Sequence, residues 1–111
     1  MLLPNFDQAI IEIEKLTEYC LNDSHPIGKH KARVFKNVLG ITSENANVLV
    51  EIILTGIKKY PKEEKETDAY GKRFSVDIQI EKKNELFIIR TNWIVKSAED
   101  FPRLTSCFIK I

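Results

Sequence analysis

Phe74-Ser75-Val76-Asp77-Ile78-Gln79-Ile80-Glu81 is the stretch whose reading decides the fold. Phe74, Val76, Ile78 and Ile80 alternate with polar residues. Side chains of a strand point alternately to its two faces, so the pattern predicts a strand with one face buried and one in water. Lys82-Lys83-Asn84-Glu85 follows and predicts a short hairpin connection. Leu86–Val95 carries apolar residues at both parities, which predicts a central strand. Lys96–Pro102 reads as a loop and Leu104–Ile111 as a further strand.

Upstream the period changes from two to that of a helix. Ala32, Phe35, Val38 and Leu39 form an apolar stripe that predicts a helix over Lys29–Leu39, with Gly40 at its left-handed end. Thr42 or Ser43 then caps a third helix whose apolar face is Ala46, Leu49, Val50, Ile53, Leu54 and Ile57, ending near Tyr60-Pro61. A first helix is predicted over Glu14–Leu21, where Leu16, Tyr19 and Cys20 share a face. Asn5 or Asp7 is a candidate cap ahead of it, and Ala9–Ile13 reads as strand or helix. Lys58–Asp68 is charged and lacks periodicity, so it reads as a solvated loop. The sum is an α+β fold, with N-terminal helices packed on a C-terminal antiparallel β-meander of three to four strands.

The 111 residues suit one domain spanning 1–111, and 43% hydrophobic with 30% charged residues is a globular balance. A net charge of +1 argues against coating nucleic acid non-specifically but leaves room for a local cationic site. Cys20 and Cys107 form no CxxC pair and read as buried thiols, with a disulfide between them as the alternative. No signal peptide or membrane-spanning run is visible, and a cytoplasmic protein is expected. The chain shows no metal-ligand spacing and no cofactor motif, and its four glycines are too scattered for a phosphate loop.

Chemistry concentrates in Asn22–Phe35, which holds both histidines, His25 and His30, beside Lys29, Lys31 and Arg33. An imidazole exchanges protons near neutral pH, and a lysine or arginine holds a phosphate. His30, Arg33 and Asn37 share one helical face, and the like charges of Lys29 and Arg33 sit one turn apart, which an anion at the helix start would compensate. Weaker candidates lie on the strands: Tyr70 and Arg73 at the start of the first, Trp93 in the second, and Arg103, Thr105 and Ser106 in the third. Trp93 reads either as core or as a platform for a nucleobase.

Leu3-Pro4-Asn5, Lys15–Asn22, His25–Phe35, Tyr70-Gly71, Trp93-Ile94-Val95 and Asp100–Thr105 together resemble a small, largely uncharacterised bacterial domain family. The specific parts are the HPxGxHKARVF and PRLT blocks. The resemblance implies a gene found in cyanobacteria and other bacteria beside a small β-rich partner, an arrangement like a toxin–antitoxin pair. The helices-then-sheet layout is also similar to the barnase/EndoU/colicin/RelE-type ribonucleases, which cleave RNA without metal through attack by the 2′-hydroxyl.

The expected function is therefore a metal-independent endoribonuclease toxin acting on RNA and held by a cognate small antitoxin protein. His30 or His25 serves as general base and the other as general acid, with Lys31 and Arg33 stabilising the phosphorane. Lys29, Tyr70, Arg73, Trp93, Arg103, Thr105 and Ser106 bind the substrate. The alternative is a non-catalytic module whose cationic helix docks an acidic partner. The assembly stays open between homo- and hetero-oligomer. A helix-turn-helix regulator fits poorly, because the third helix carries few cations before Lys58.

Overall fold

The computed structural model describes residues 1–110. Three helices come first: α1 (Ile13–Lys15, continued by a π-helical stretch over Leu16–Cys20), α2 (Lys29–Leu39) and α3 (Ala46–Gly56). Four strands follow, β1 (Lys62–Asp68), β2 (Gly71–Lys82), β3 (Glu85–Lys96) and β4 (Arg103–Lys110). They form one antiparallel sheet in the order β1-β2-β3-β4. The α+β meander has the layout expected, with β3 central.

Local signals explain the helix limits. Gly40 sits at φ 68°, its N–H donates to the Lys36 carbonyl at 3.0 Å, and the Ile41 N–H reaches the Phe35 carbonyl at 3.3 Å. Both bonds satisfy carbonyls that α2 would otherwise leave open at its end. Thr42 and Asn45 close a reciprocal capping box at the start of the next helical run, where the Thr42 N–H donates to Asn45 Oδ1 at 2.7 Å. Helix α3 runs to Gly56 rather than to Tyr60, and turns carry the chain onward to the sheet. Neither Asn5 nor Asp7 caps a long helix; a single 3-10 turn, Phe6–Gln8, stands there instead. Ile10 settles as an isolated parallel bridge to Arg103.

The period-two reading of β2 holds for its apolar residues, although Ser75 on the other face is buried as well. Phe74 pairs with Trp93, Val76 with Thr91 and Ile78 with Ile89, and all six are buried. Cys107 and Ile109 of β4 extend that face, which packs with Leu16, Phe35, Leu49, Ile53 and Ile57 of the helical layer. Apolar surface leaving water on both layers supplies the main driving force. The opposite face carries Arg73, Ser75 and Asp77 on β2, Arg90 and Asn92 on β3, and Ser106 and Phe108 on β4. An irregularity at Asn92/Trp93 sets Trp93 opposite Leu104 and leaves Thr105 out of register.

One expectation is corrected. The second half of Lys58–Asp68 is not a loop but the edge strand β1. Its side chains are almost all exposed, so burial leaves no periodic trace in the sequence. The ladder to β2 holds it, with ion pairs from Lys62 and Lys72 to Glu64 at 2.9 and 3.1 Å. Charge on an edge strand also deters pairing with other chains.

Candidate functional site

His25 sits in the turn before α2, and its ring is held there. Its Nδ1 accepts the peptide N–H of Ile27 at 3.0 Å and that of Gly28 at 2.9 Å. Its ring edge also meets the face of Tyr19, with centroids 4.8 Å apart. A nitrogen that accepts two hydrogens has no room for its own, so the ring proton lies on Nε2. Pro26 helps by biasing His25 to extended backbone. Gly28 completes the turn, since a Cβ there would lie 2.8 Å from the Tyr19 carbonyl oxygen. The HPIG segment is thus a turn that seats the first residue of α2. The expectation that His25 acts as acid or base is corrected: either task needs a ring whose Nδ1 is protonated, and that would break both hydrogen bonds.

His30 is placed differently. It is exposed on the first turn of α2 and lines an apolar groove with Lys31, Val34, Phe108, Ile109 and Lys110, between the helix and the β4 edge. The groove encloses about 360 Å³. Lys31 lies a quarter-turn from His30, yet its Nζ reaches over the Phe108 ring at 4.4 Å, so both side chains border the same groove. Lys29 and Arg33 stand on the same first turns of α2, which holds no acidic residue, while Lys36 borders a separate hollow with Asp23 and Glu44. Among the described residues, none of Lys29, Lys31, Arg33 and Lys36 forms an ion pair with a carboxylate.

The cations of the sheet are spent otherwise. Arg90 binds Asp77 through two bonds, at 2.9 and 3.0 Å, which holds the Asp77 carboxyl below its usual range. Arg103 grips Glu99 at 2.8 and 2.9 Å and lies 3.6 Å from Glu12. It therefore fastens the N-terminal segment to β4, and the Arg103 guanidinium expected to bind substrate is engaged in these ion pairs. Arg73 donates to Asp68 at 2.8 Å across the β1–β2 turn. Trp93 is 1% exposed, and its indole N–H donates to Thr91 Oγ1 at 2.8 Å, which in turn donates to the Val76 carbonyl at 2.8 Å. The expected base-stacking role of Trp93 is corrected: the ring is core, turned toward the helices.

A second hollow lies on the open sheet face. Arg73, Asn92, Thr105 and Ser106 line it with Lys65 and Glu66 of β1. Asn92 Nδ2 donates to Ser106 Oγ at 3.0 Å, and Thr105 Oγ1 donates to the Asn92 carbonyl at 3.2 Å.

A family model described as "Domain of unknown function (DUF6883)" matches residues 2–111. The chain belongs to that family. No curated protein and no solved structure matches it. Among the described residues no single helix is long and apolar enough to cross a membrane.

In this DUF6883 chain the fold divides the expected constellation into three parts along β4. His30 and Lys31 meet Phe108–Lys110 at its C-terminal end. Arg73, Thr105 and Ser106 share the hollow at its middle. Arg103 stands at its start and Tyr70 is exposed in the β1–β2 turn, and neither lines the groove. Phe108 was missed as a candidate, although Leu104, Cys107 and Ile109 turning inward leaves it on the other face as a half-buried aromatic.

Proposed function

We propose that the chain is a metal-independent endoribonuclease, the toxin of a toxin–antitoxin pair, with its site in the groove between α2 and β4. The single observation that carries this reading is an exposed imidazole, His30, that shares a groove with Lys31, a cation with no carboxylate partner among the described residues, and with a half-buried aromatic ring, while Lys29 and Arg33 stand on the same first turns of α2. An RNA backbone supplies the missing negative charge, and Phe108 offers a base a face to rest on. The helices-then-meander layout supports it by analogy with the ribonucleases named above. His30 takes the proton of the 2′-hydroxyl, Lys31 and Arg33 hold the charge growing on the phosphorane, and the Lys31 ammonium supplies a proton to the departing 5′ oxygen. His25 positions the helix that carries them. Induced expression in a bacterial host tests the reading: growth stops with the wild-type chain and continues with His30→Ala at equal protein level. Harmless wild-type expression contradicts it.

A second reading has its own support. The edge of β4 is covered by Ile10 at Leu104 and by Cys20 at Cys107, but among the described residues nothing bonds the Ile109 peptide on that side. An acidic strand paired there beside Lys31 makes the site a docking surface, without catalysis. Binding of an acidic protein by a chain that neither binds nor cuts RNA selects this alternative.

A further inference from the structure

Two thiols outside the groove carry an inference of their own. Cys20 closes the π-helical stretch of the helical layer, and Cys107 lies within β4, 87 residues away in sequence. Both are free, at 2% and 1% exposure. The Cys107 peptide N–H donates to Cys20 Sγ at 3.4 Å. Both side chains belong to the same buried cluster, and that peptide bond sets Cys20 Sγ against the Cys107 backbone. We propose that Cys20 and Cys107 form a dithiol that hydrogen peroxide closes to an intramolecular disulfide, locking the helical layer to β4.

The surroundings assign the order of events. The bond from the Cys107 thiol, helped by the Cys107 peptide N–H and by Lys31, holds the Cys20 thiol below its ordinary range against the opposing effect of burial. The same bond, together with burial, pushes Cys107 well up. Cys20 is thus the sulfur that gains thiolate character and attacks first. Its sulfur bonds to one peroxide oxygen as the O–O bond breaks. The thiol proton leaves with the other oxygen as water, and Cys20 is a sulfenic acid. The Cys107 sulfur then bonds to Cys20 Sγ as the S–O bond breaks, and its proton leaves with the hydroxyl as a second water. Two thiols lose two electrons in total, and one peroxide becomes two waters. The resolving cysteine is already a neighbour, its peptide N–H 3.4 Å from Cys20 Sγ, so the sulfenic acid closes before it oxidises further. Burial of both thiols turns away bulky disulfides, so the oxidant must be a small one. The bridge spans a long loop, which constrains the unfolded chain and raises thermal stability.

The wild-type chain carries the test, so no variant has to fold. Folded protein is treated with hydrogen peroxide, then unfolded in denaturant with an alkylating agent and mapped by mass spectrometry without reduction. The expected product is a monomer two hydrogens lighter, unlabelled, with the Cys20 and Cys107 peptides joined, a raised thermal midpoint, and full reversal by dithiothreitol. Two alkylated thiols after treatment, oxygen adducts on either cysteine, or a bridge between chains each overturn the proposal.

Discussion

The imidazole of His25 accepts the peptide N–H of Gly28 at 2.9 Å, and through that bond the turn ahead of α2 is fixed. The role is that of an Asx-type turn with a ring nitrogen in place of the side-chain oxygen, set just ahead of a helix that has no side-chain cap of its own. His25→Ala leaves the Ile27 and Gly28 N–H groups without this acceptor and lowers stability by about 1 kcal/mol, comparable to loss of a conventional cap. His25→Asn, whose side-chain oxygen accepts the same bonds, restores most of the loss. Urea denaturation of the three proteins measures both effects. Equal stability of His25→Ala and wild type contradicts the assignment.

Thr91 stands between two buried groups, receiving the Trp93 indole N–H and donating to the Val76 carbonyl. Thr91→Val keeps the shape and removes both bonds, which costs about 1–3 kcal/mol as a buried donor is orphaned. A denaturant midpoint within error of wild type counts against this role for the hydroxyl.

The Asp77 carboxyl is held below its ordinary value of 3.8 chiefly by its hydrogen bonds to Arg90, with Lys110 adding charge at 3.5 Å. A carboxyl depressed in the folded state binds its proton more weakly there than in the unfolded chain. Its contribution to stability is therefore complete above pH 3.8 and is lost as pH falls through the lower folded value. Asp77→Asn removes that share, so the difference in stability between the two proteins narrows below pH 3.8. Thermal midpoints across acidic pH check the sign, and a difference that widens on acidification contradicts it.

How far these relationships were legible in the sequence depends on what each leaves there. Phe74, Val76, Ile78 and Ile80 mark a strand because one face of β2 meets the core. The α2 stripe and Gly40 mark a helix and its end for the same reason. Strand β1 leaves no such mark, because backbone bonds to β2 hold it and its side chains stay in water. At the site, the sequence shows that cations and histidines are near one another but not which of them are already engaged. Arg103 and Glu99 are four residues apart, yet the pair forms because the β3–β4 turn faces them together. The Nδ1 of His25 is occupied by a turn that no spacing rule describes. Phe108 is the residue the alternation of β4 itself could have found.

The unpaired cations of α2 give the groove a measurable salt dependence. If Lys29, Lys31 and Arg33 each neutralise one phosphate, log K for single-stranded RNA falls with log salt at a slope of about −2. Replacing Lys29 with Gln brings the slope to about two-thirds of that value and weakens binding to all sequences alike. A slope near zero, or no change in the variant, removes RNA from the groove.

The most direct measurement is cleavage of a defined RNA by purified wild-type and His30→Ala protein in the presence of a chelator, read as product ends. The account predicts that wild type produces 2′,3′-cyclic phosphate and 5′-hydroxyl ends, and that His30→Ala still binds the RNA but leaves it whole. Intact RNA with the wild-type protein, or equal cutting by His30→Ala, contradicts it.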